Sequence, residues 1–324
     1  MTAAAPYLSI VVTGRNDDFG GDFNGRFFRA LRFNHAVLSE AGIDHEFVFV
    51  EWRPVERAPY LAALLEAEFP ELGPSSLRCY VVDPAYHDAR NLNPRLQFHE
   101  FLAKNVGIRR ARGRYVLATN TDIYFGRGVI GRFESASLEE GILYRATRFD
   151  LKESGDYNNV DWELLEDDRN YDAVNTICPP YFTNASGDFQ LLDRGTYHRL
   201  GGFNEVYRVA KIHIDSNFCM KAHACGVRLV DLGSPVYHVG RGTFNAQEAR
   251  YRTRPEASPW GKRWRSSVIY VNGPEWGLAH APERQMDACT SFLEFDWSAV
   301  GPMVTLKGVE VPATASVPRS STSG

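Results

Sequence analysis

The sequence predicts an α/β fold, a mostly parallel sheet covered by helices on both faces. Three observations carry this. Apolar, β-branched runs recur as "LSIVVT" (8–13), "HEFVFVEW" (45–52), "LRCYVVD" (77–83) and "RYVLATNTD" (114–122). Segments with helical spacing separate them, as crossover connections between parallel strands require. Polar residues also gather where these strands end: Thr13-Gly14-Arg15-Asn16, Glu51, and Asn120 to Asp122. In such sheets ligands bind beyond the carboxyl ends of the strands.

Each element has its own signal. Residues 24–42 place Phe27, Leu31, Leu38 and Ala41 near helical spacing and stop at Gly42. "APYLAALLEAEF" (58–69) reads as a second helix, and residues 95–112, with Phe98, Phe101, Leu102 and Ile108, as a third. In the second half, "GILYRAT" (141–147) reads as a strand and an acidic loop follows to about Asn175. Residues 187–205 suggest a strand, a short helix and a Gly-rich turn. Residues 215–226 are a helix closed by Gly226, and 227–233 and 235–240 are short strands. The end of the chain, 301–324, reads as a frayed tail.

Composition narrows the class. With 324 residues and a net charge of -4, the chain suits a soluble globular protein and not a nucleic-acid binder. Charge is uneven: residues 150–172 carry nine acids against Lys152 and Arg169, whereas 241–265 hold seven Lys or Arg against Glu248 and Glu256. The five cysteines form no CxxC pair, so reduced thiols and a cytoplasmic setting are expected. Residues 1–6 carry no leader pattern, and no stretch is long and apolar enough to span a membrane.

Taken in order, "LSIVVTGRND", "KNVGIRRARGRYVLATNTD", "LGGFNE" and "HIDSNFCMKAHACG" resemble the nucleotide-sugar glycosyltransferases of the GT-A fold, particularly the large family 2 group. The likeness covers roughly residues 7–240. It implies a Rossmann-like sheet, a smaller acceptor-side sheet, a nucleotide-binding half at about 7–125 and an acceptor half at about 126–240. Residues 241–300 would then be a basic, Trp-rich extension suited to a lid. The sequence departs from the pattern in three places. Asn120 replaces the first acid of Asp-x-Asp, Glu51 stands where Asp is common, and Ile214 precedes Asp215 where Glu is usual.

Transfer of a sugar from a nucleoside diphosphate requires stabilising the leaving diphosphate and deprotonating a hydroxyl. For the first, Mn²⁺ or Mg²⁺ needs only one or two protein ligands, because phosphates and waters complete its shell. Asp122 is the expected carboxylate ligand and His238, in "VYHVG", the second. Asn120 and Thr121 are placed with the donor, Asn120 either through its carbonyl oxygen, through water, or on the ribose. Residues 120–122 also read as an ordinary turn, and His238 as a packed structural histidine.

Thr13, Gly14, Arg15 and Glu51 are the candidates for the base and ribose, with a structural Arg15–Glu51 pair as the alternative. Asn105 either contacts the nucleotide or caps its helix. Asp215 matches the family's catalytic base, which implies a single displacement with inversion. From the residues alone it is a helix N-cap. Asp188 in "SGDFQ" is the rival acid for catalysis or substrate contact.

The expected partners are a UDP- or GDP-sugar and a hydroxyl-bearing acceptor. Two other activities fit a related sheet: a sugar-phosphate nucleotidyltransferase, and a non-catalytic nucleotide-sugar-binding protein. Against the first, "VTGRNDDFGGDFNGRF" lacks the compact Gly-rich basic run that grips a triphosphate.

Overall fold

The computed structural model describes residues 5–18, 21–94, 96–152, 154–206, 208, 213–239 and 269–296. The basic stretch 241–265, read as a lid, and the tail 301–324 lie outside the described residues.

Four strands make the centre of the main sheet: β1 (Leu8–Gly14), β2 (His45–Trp52), β3 (Leu77–Val82) and β4 (Tyr115–Thr119), paired in parallel in the order β4-β1-β2-β3. Strand β9 (Phe189–Asp193) lies antiparallel to β4, and β6 (Ile142–Arg145) with β10 (Arg228–Asp231) extends that side. On the far edge β13 (Thr290–Leu293) pairs in parallel with β3 and carries β12 (Glu283–Gln285).

Both faces are covered, as the near-continuous apolar strands demand. Ile10, Val12, Phe47 and Phe49 pack on one face against α1 (Phe23–Glu40), α2 (Leu61–Glu68) and α5 (Arg127–Glu134). Val11, Val48 and Val50 point the other way, toward α4 (Glu100–Arg110), α7 (Arg194–Leu200) and α8 (Ile214–Ala224). The alternation along β1 and β2 is the two-residue period of a strand, with apolar side chains on both faces.

A second sheet of four strands has the order β5-β11-β7-β8, from β5 (Ile123–Phe125), β11 (Val236–His238), β7 (Arg148–Leu151) and β8 (Tyr171–Asn175). The architecture is the one that the GT-A resemblance implies: a large, mostly parallel sheet flanked by helices, with a smaller sheet beside it.

Three local expectations are corrected. The helix read at 95–112 begins only at Glu100, and a separate short helix, α3 (Pro84–Arg90), precedes it. Asp83 starts α3 by accepting the Ala85 amide, with Pro84 at the first helical position. The acidic stretch to Asn175 is not wholly loop. It contains β7, α6 (Trp162–Glu166) and β8, whose exposed middle residues gave no apolar period to detect. Residues 283–293 supply two strands, β13 and the edge strand β12, and Trp276 is buried against Gly202 and His198.

The quoted motifs are explained by close packing. A Cβ at Gly107 would lie 2.5 Å from Val11 Cγ1, so only glycine lets α4 approach β1 this closely. Gly202, at φ +63°, would place a Cβ 2.3 Å from Asn105 Oδ1. "KNVG" and "LGGFNE" are therefore two sides of one contact.

Candidate functional site

The strand tips do converge. Asp122 follows β4 in the turn that leads into β5, and buried Asn34 holds that turn. Its Nδ2 donates to Ile123 O (2.8 Å) and its Oδ1 accepts the Phe125 amide (3.0 Å). The Val239 amide donates to Asp122 O at 3.2 Å, tying the end of β11 to the same turn. His238 and Asp122 are thereby brought face to face, with His238 Nε2 3.4 Å from Asp122 Oδ2.

The other imidazole nitrogen is also assigned by geometry. His238 Nδ1 lies 3.0 Å from Asp150 Oδ1 on β7, which accepts its proton. With Nδ1–H held by a carboxylate, Nε2 faces the Asp122 oxygen and carries a proton that a bound cation would displace. This is the usual carboxylate–histidine arrangement behind a metal ion. Among the described residues no three His, Cys, Asp or Glu side chains form a metal-holding group. The pair Asp122 and His238, one oxygen and one nitrogen donor, fits a divalent cation whose remaining ligands are phosphate oxygens and water. Burial alone would lower the basicity of His238, but the Asp122 and Asp150 carboxylates overcome it and push its pKa up to about 10. Burial would raise Asp122, yet His238 and then Arg26, 3.9 Å away, hold it below the ordinary carboxylate value.

Asp150 connects onward through Arg148. The guanidinium lies 2.9 Å from Asp150 Oδ1 and donates to Asp188 Oδ2 at 2.6 Å. Asp188 Oδ1 accepts Asn120 Nδ2 at 2.6 Å. Asn120 Oδ1 in turn accepts Lys104 Nζ at 2.7 Å, and the same ammonium donates to Glu100 Oε1 (2.7 Å) and Gly187 O (2.8 Å). Lys104 is fully buried, and its three protons have three acceptors.

The Asn120 carbonyl oxygen accepts from Lys104 and its amide donates to Asp188, so both ends of the side chain are engaged in this network. Asp188 is buried and held at both oxygens, which makes it a junction between Arg148 and Asn120 rather than a free base. Thr119 Oγ1 adds a bond to Asp188 O at 2.6 Å. Thr121 is buried in the same turn.

Asp215 lies in the first turn of α8 and is only partly covered. Ser186 Oγ donates to its Oδ2 at 2.6 Å. Burial raises its pKa above the ordinary carboxylate value, against the lowering effect of that bond. The reading of Asp215 as the N-cap is corrected: His213, in the left-handed region, takes that position.

The tips of β1 and β2 turn inward more than expected. Thr13 is buried, and a Cβ on Gly14 would meet Phe23 Cζ at 2.9 Å. Glu51 is fully buried and accepts the Ala62 amide at 3.1 Å, so it caps α2, whose own N-cap Tyr60 provides no side-chain bond. Arg15 pairs with Asp17 (3.3 Å) and donates to Gln97 O (3.2 Å), not to Glu51. Asn105 has no exposed surface. Its amide donates to Phe203 O (2.8 Å) and Glu205 Oε1 (2.9 Å) and its oxygen accepts the Phe203 amide (2.7 Å), so the side chain ties α4 to the turn at Gly201–Glu205.

Sequence reasoning missed Lys104, Asp150, Arg148 and Glu100. Lys104 was visible inside "KNVG", where a lysine on the buried face of a helix is itself a signal. Asp150 opens the acidic stretch 150–172, and Arg148 lies just before it.

No protein-family model and no curated protein sequence matches the chain. Solved structures with a similar arrangement include the catalytic domain of Drosophila β1,4-galactosyltransferase 7 in complex with xylobiose. It is 10% identical, with a TM-score of 0.43, covering 90% of this chain and 96% of that one. A mutant of the same enzyme with manganese, UDP-Gal and xylobiose gives 11% identity and a TM-score of 0.40 over the same shares. GalNAc-T7 with UDP, GalNAc and Mn²⁺ gives 12% and 0.47, covering 74% of this chain and 44% of that one, so this chain spans less than half of it. At these identities and scores the functional reading is built on the site alone.

Proposed function

We propose that the chain is an inverting, metal-dependent glycosyltransferase that moves a sugar from a UDP- or GDP-sugar to a hydroxyl acceptor. The observation that carries it is the pairing of Asp122 Oδ2 with His238 Nε2 at 3.4 Å, backed by Asp150 and set at the tip of a central parallel strand. Mn²⁺ or Mg²⁺ bound there would neutralise charge developing on the leaving diphosphate. The mixed oxygen and nitrogen pair suits Mn²⁺ better than Mg²⁺, which favours oxygen.

On this reading Asp122 and His238 hold the donor end, and residues 7–125 form the nucleotide half. Asp215, across the Ser186–Asp188 segment, takes the proton of the acceptor hydroxyl. The upward shift of its pKa supports the role, because it moves the carboxyl toward the range a general base needs. Asp215 acting as the base on the acceptor implies a single displacement with inversion.

The test is a set of three measurements on the purified protein. Asp122→Ala and EDTA should each abolish transfer from nucleoside-diphosphate sugars while the fold persists. Asp215→Asn should lower turnover by roughly 10²- to 10⁴-fold with donor binding kept. Full activity in EDTA would remove the metal role, and unchanged turnover in Asp215→Asn would move the base elsewhere. Release of pyrophosphate from NTP and sugar phosphate would instead favour a nucleotidyltransferase.

A further inference from the structure

We infer that Glu100 is a second acceptor-binding carboxylate, and that the acceptor is a sugar presenting two neighbouring hydroxyls, one to Asp215 and one to Glu100. The inference rests on the glycosyltransferase reading and deepens it by naming the acceptor's chemistry.

Gly187 shows how the two acids share one space. A Cβ built there would lie 3.6 Å from Asp215 Oδ2, 3.9 Å from Glu100 Oε1 and 3.6 Å from Phe101 Cζ. Both carboxylates and the Phe101 ring edge thus border one methyl-sized position that the bare glycine leaves open. Buried Gln190 donates through Nε2 to Asp215 O at 3.1 Å, and its Oε1 has no hydrogen-bond partner among the described residues.

Glu100 comes from a different element than Asp215. It opens α4, whereas the residue before Asp215 on α8 is Ile214. Its side chain keeps 20% of its surface exposed and is held by the fully buried Lys104. Lys104 takes only Oε1, at 2.7 Å, which leaves Glu100 with acceptor capacity for a ligand hydroxyl. A carboxylate fixed by a buried ammonium cannot swing away when the site fills, so it reads position as well as polarity. Two acids also repel anionic acceptors, which restricts the class to neutral or cationic sugars.

In transfer, the acceptor oxygen bonds to the donor's anomeric carbon as the bond from that carbon to the diphosphate oxygen breaks. The acceptor proton passes to Asp215, and the bonding electron pair leaves with the diphosphate. Glu100 accepts a hydrogen bond from the adjacent hydroxyl and takes no proton, so it orients the nucleophile.

The experiment measures transfer to a series of methyl pyranosides and their monodeoxy analogues by wild type and by Glu100→Gln and Glu100→Ala. Wild type should prefer the diol over the analogue lacking the neighbouring hydroxyl by about 10- to 100-fold in kcat/KM. Both variants should lose most of that preference, mainly through acceptor KM, with donor binding retained by titration. Glu100→Gln keeps an oxygen for Lys104, so it reports recognition even if Glu100→Ala fails to fold. Full discrimination in Glu100→Gln would overturn the inference. So would a wild-type protein that binds and hydrolyses donor but uses no methyl pyranoside. A wild-type protein that neither binds nor hydrolyses any nucleotide sugar overturns the glycosyltransferase reading itself.

Discussion

Lys104 Nζ lies 2.7 Å from Asn120 Oδ1, and this contact explains why a neutral residue stands where Asp-x-Asp would place an acid. The amide accepts from the ammonium with its oxygen and donates to Asp188 Oδ1 at 2.6 Å with its nitrogen. Only Asn has both functions in that shape. An Asp there would keep the first contact and set two carboxylate oxygens against each other in the second.

Asn120→Asp is therefore expected to destabilise the fold at neutral pH by about 1–3 kcal/mol. The loss should shrink as acid protonates one of the two carboxyls. Thermal melts across pH 4–8 check it, paired with Mn²⁺ titration. Tighter Mn²⁺ binding at unchanged stability would show that residue 120 is a vacant metal ligand after all.

Asp150 makes the second prediction. It holds His238 Nδ1 at 3.0 Å, leaving Nε2 facing Asp122. Asp150→Asn keeps the size but weakens that hold and permits ring rotation. Mn²⁺ affinity, read by calorimetry in the presence of nucleoside diphosphate, should fall by roughly 10- to 100-fold. An unchanged affinity would mean that His238 is not a ligand or needs no orienting partner.

Asn105 tests a purely structural role. Its side chain joins α4 to the Gly201–Glu205 turn through Phe203 and Glu205. Asn105→Ala leaves those buried groups unpaired and should cost on the order of 2–4 kcal/mol, seen as an earlier urea midpoint. Affinity for a nucleoside diphosphate should stay within about threefold of wild type where the variant is folded, a difference well under 1 kcal/mol.

How much of this was legible depended on the kind of signal. The central strands announced themselves because both of their faces are buried, so Val11 and Val12 are equally apolar in sequence. Asp122, Asp215 and His238 stood out as candidates because each sits at a strand or helix end inside a segment that resembles the GT-A pattern. Strand β8 was not, since its middle residues are exposed and it exists through pairing with β7. Glu51 misled for a related reason. An acid at a strand tip looks the same in sequence whether it faces a ligand or the amides of the next helix. Lys104, Asp150 and Arg148 come from α4 and β7, which are linked through Asn120 and Asp188 only in the folded chain.

The same burial that hid Glu51 predicts a pH signature with two opposing limbs. Burial raises Glu51 from an ordinary 4.5 to about 7, outweighing the amides at Leu61 and Ala62. The native state thus binds its proton more tightly than the unfolded chain. Its contribution is full below pH 4.5 and is lost as pH rises through 7, a change of about 3 kcal/mol. Glu51→Gln keeps the oxygen for the Ala62 amide and should remove this loss, melting higher than wild type at pH 8 but not at pH 4.5. His87 acts in the opposite sense. Burial, and then Arg53, lowers it from 6.5 to about 4, and its Nδ1 accepts Trp52 Nε1–H at 3.0 Å, which requires a neutral ring. Its contribution is full above pH 6.5 and is lost as pH falls through 4. Packed against it at a tilt, His99 is lowered to about 3 by burial and then by His87. Between pH 4.5 and 6.5 the two histidines outweigh the single carboxyl, so these groups make stability rise with pH there. Above 6.5 Glu51 alone sets their slope until it too is ionised. Melting curves of wild type, Glu51→Gln and His87→Gln at half-unit steps separate the limbs. A Glu51→Gln profile parallel to wild type from pH 4.5 to 8 would show that Glu51 is already charged in the native state.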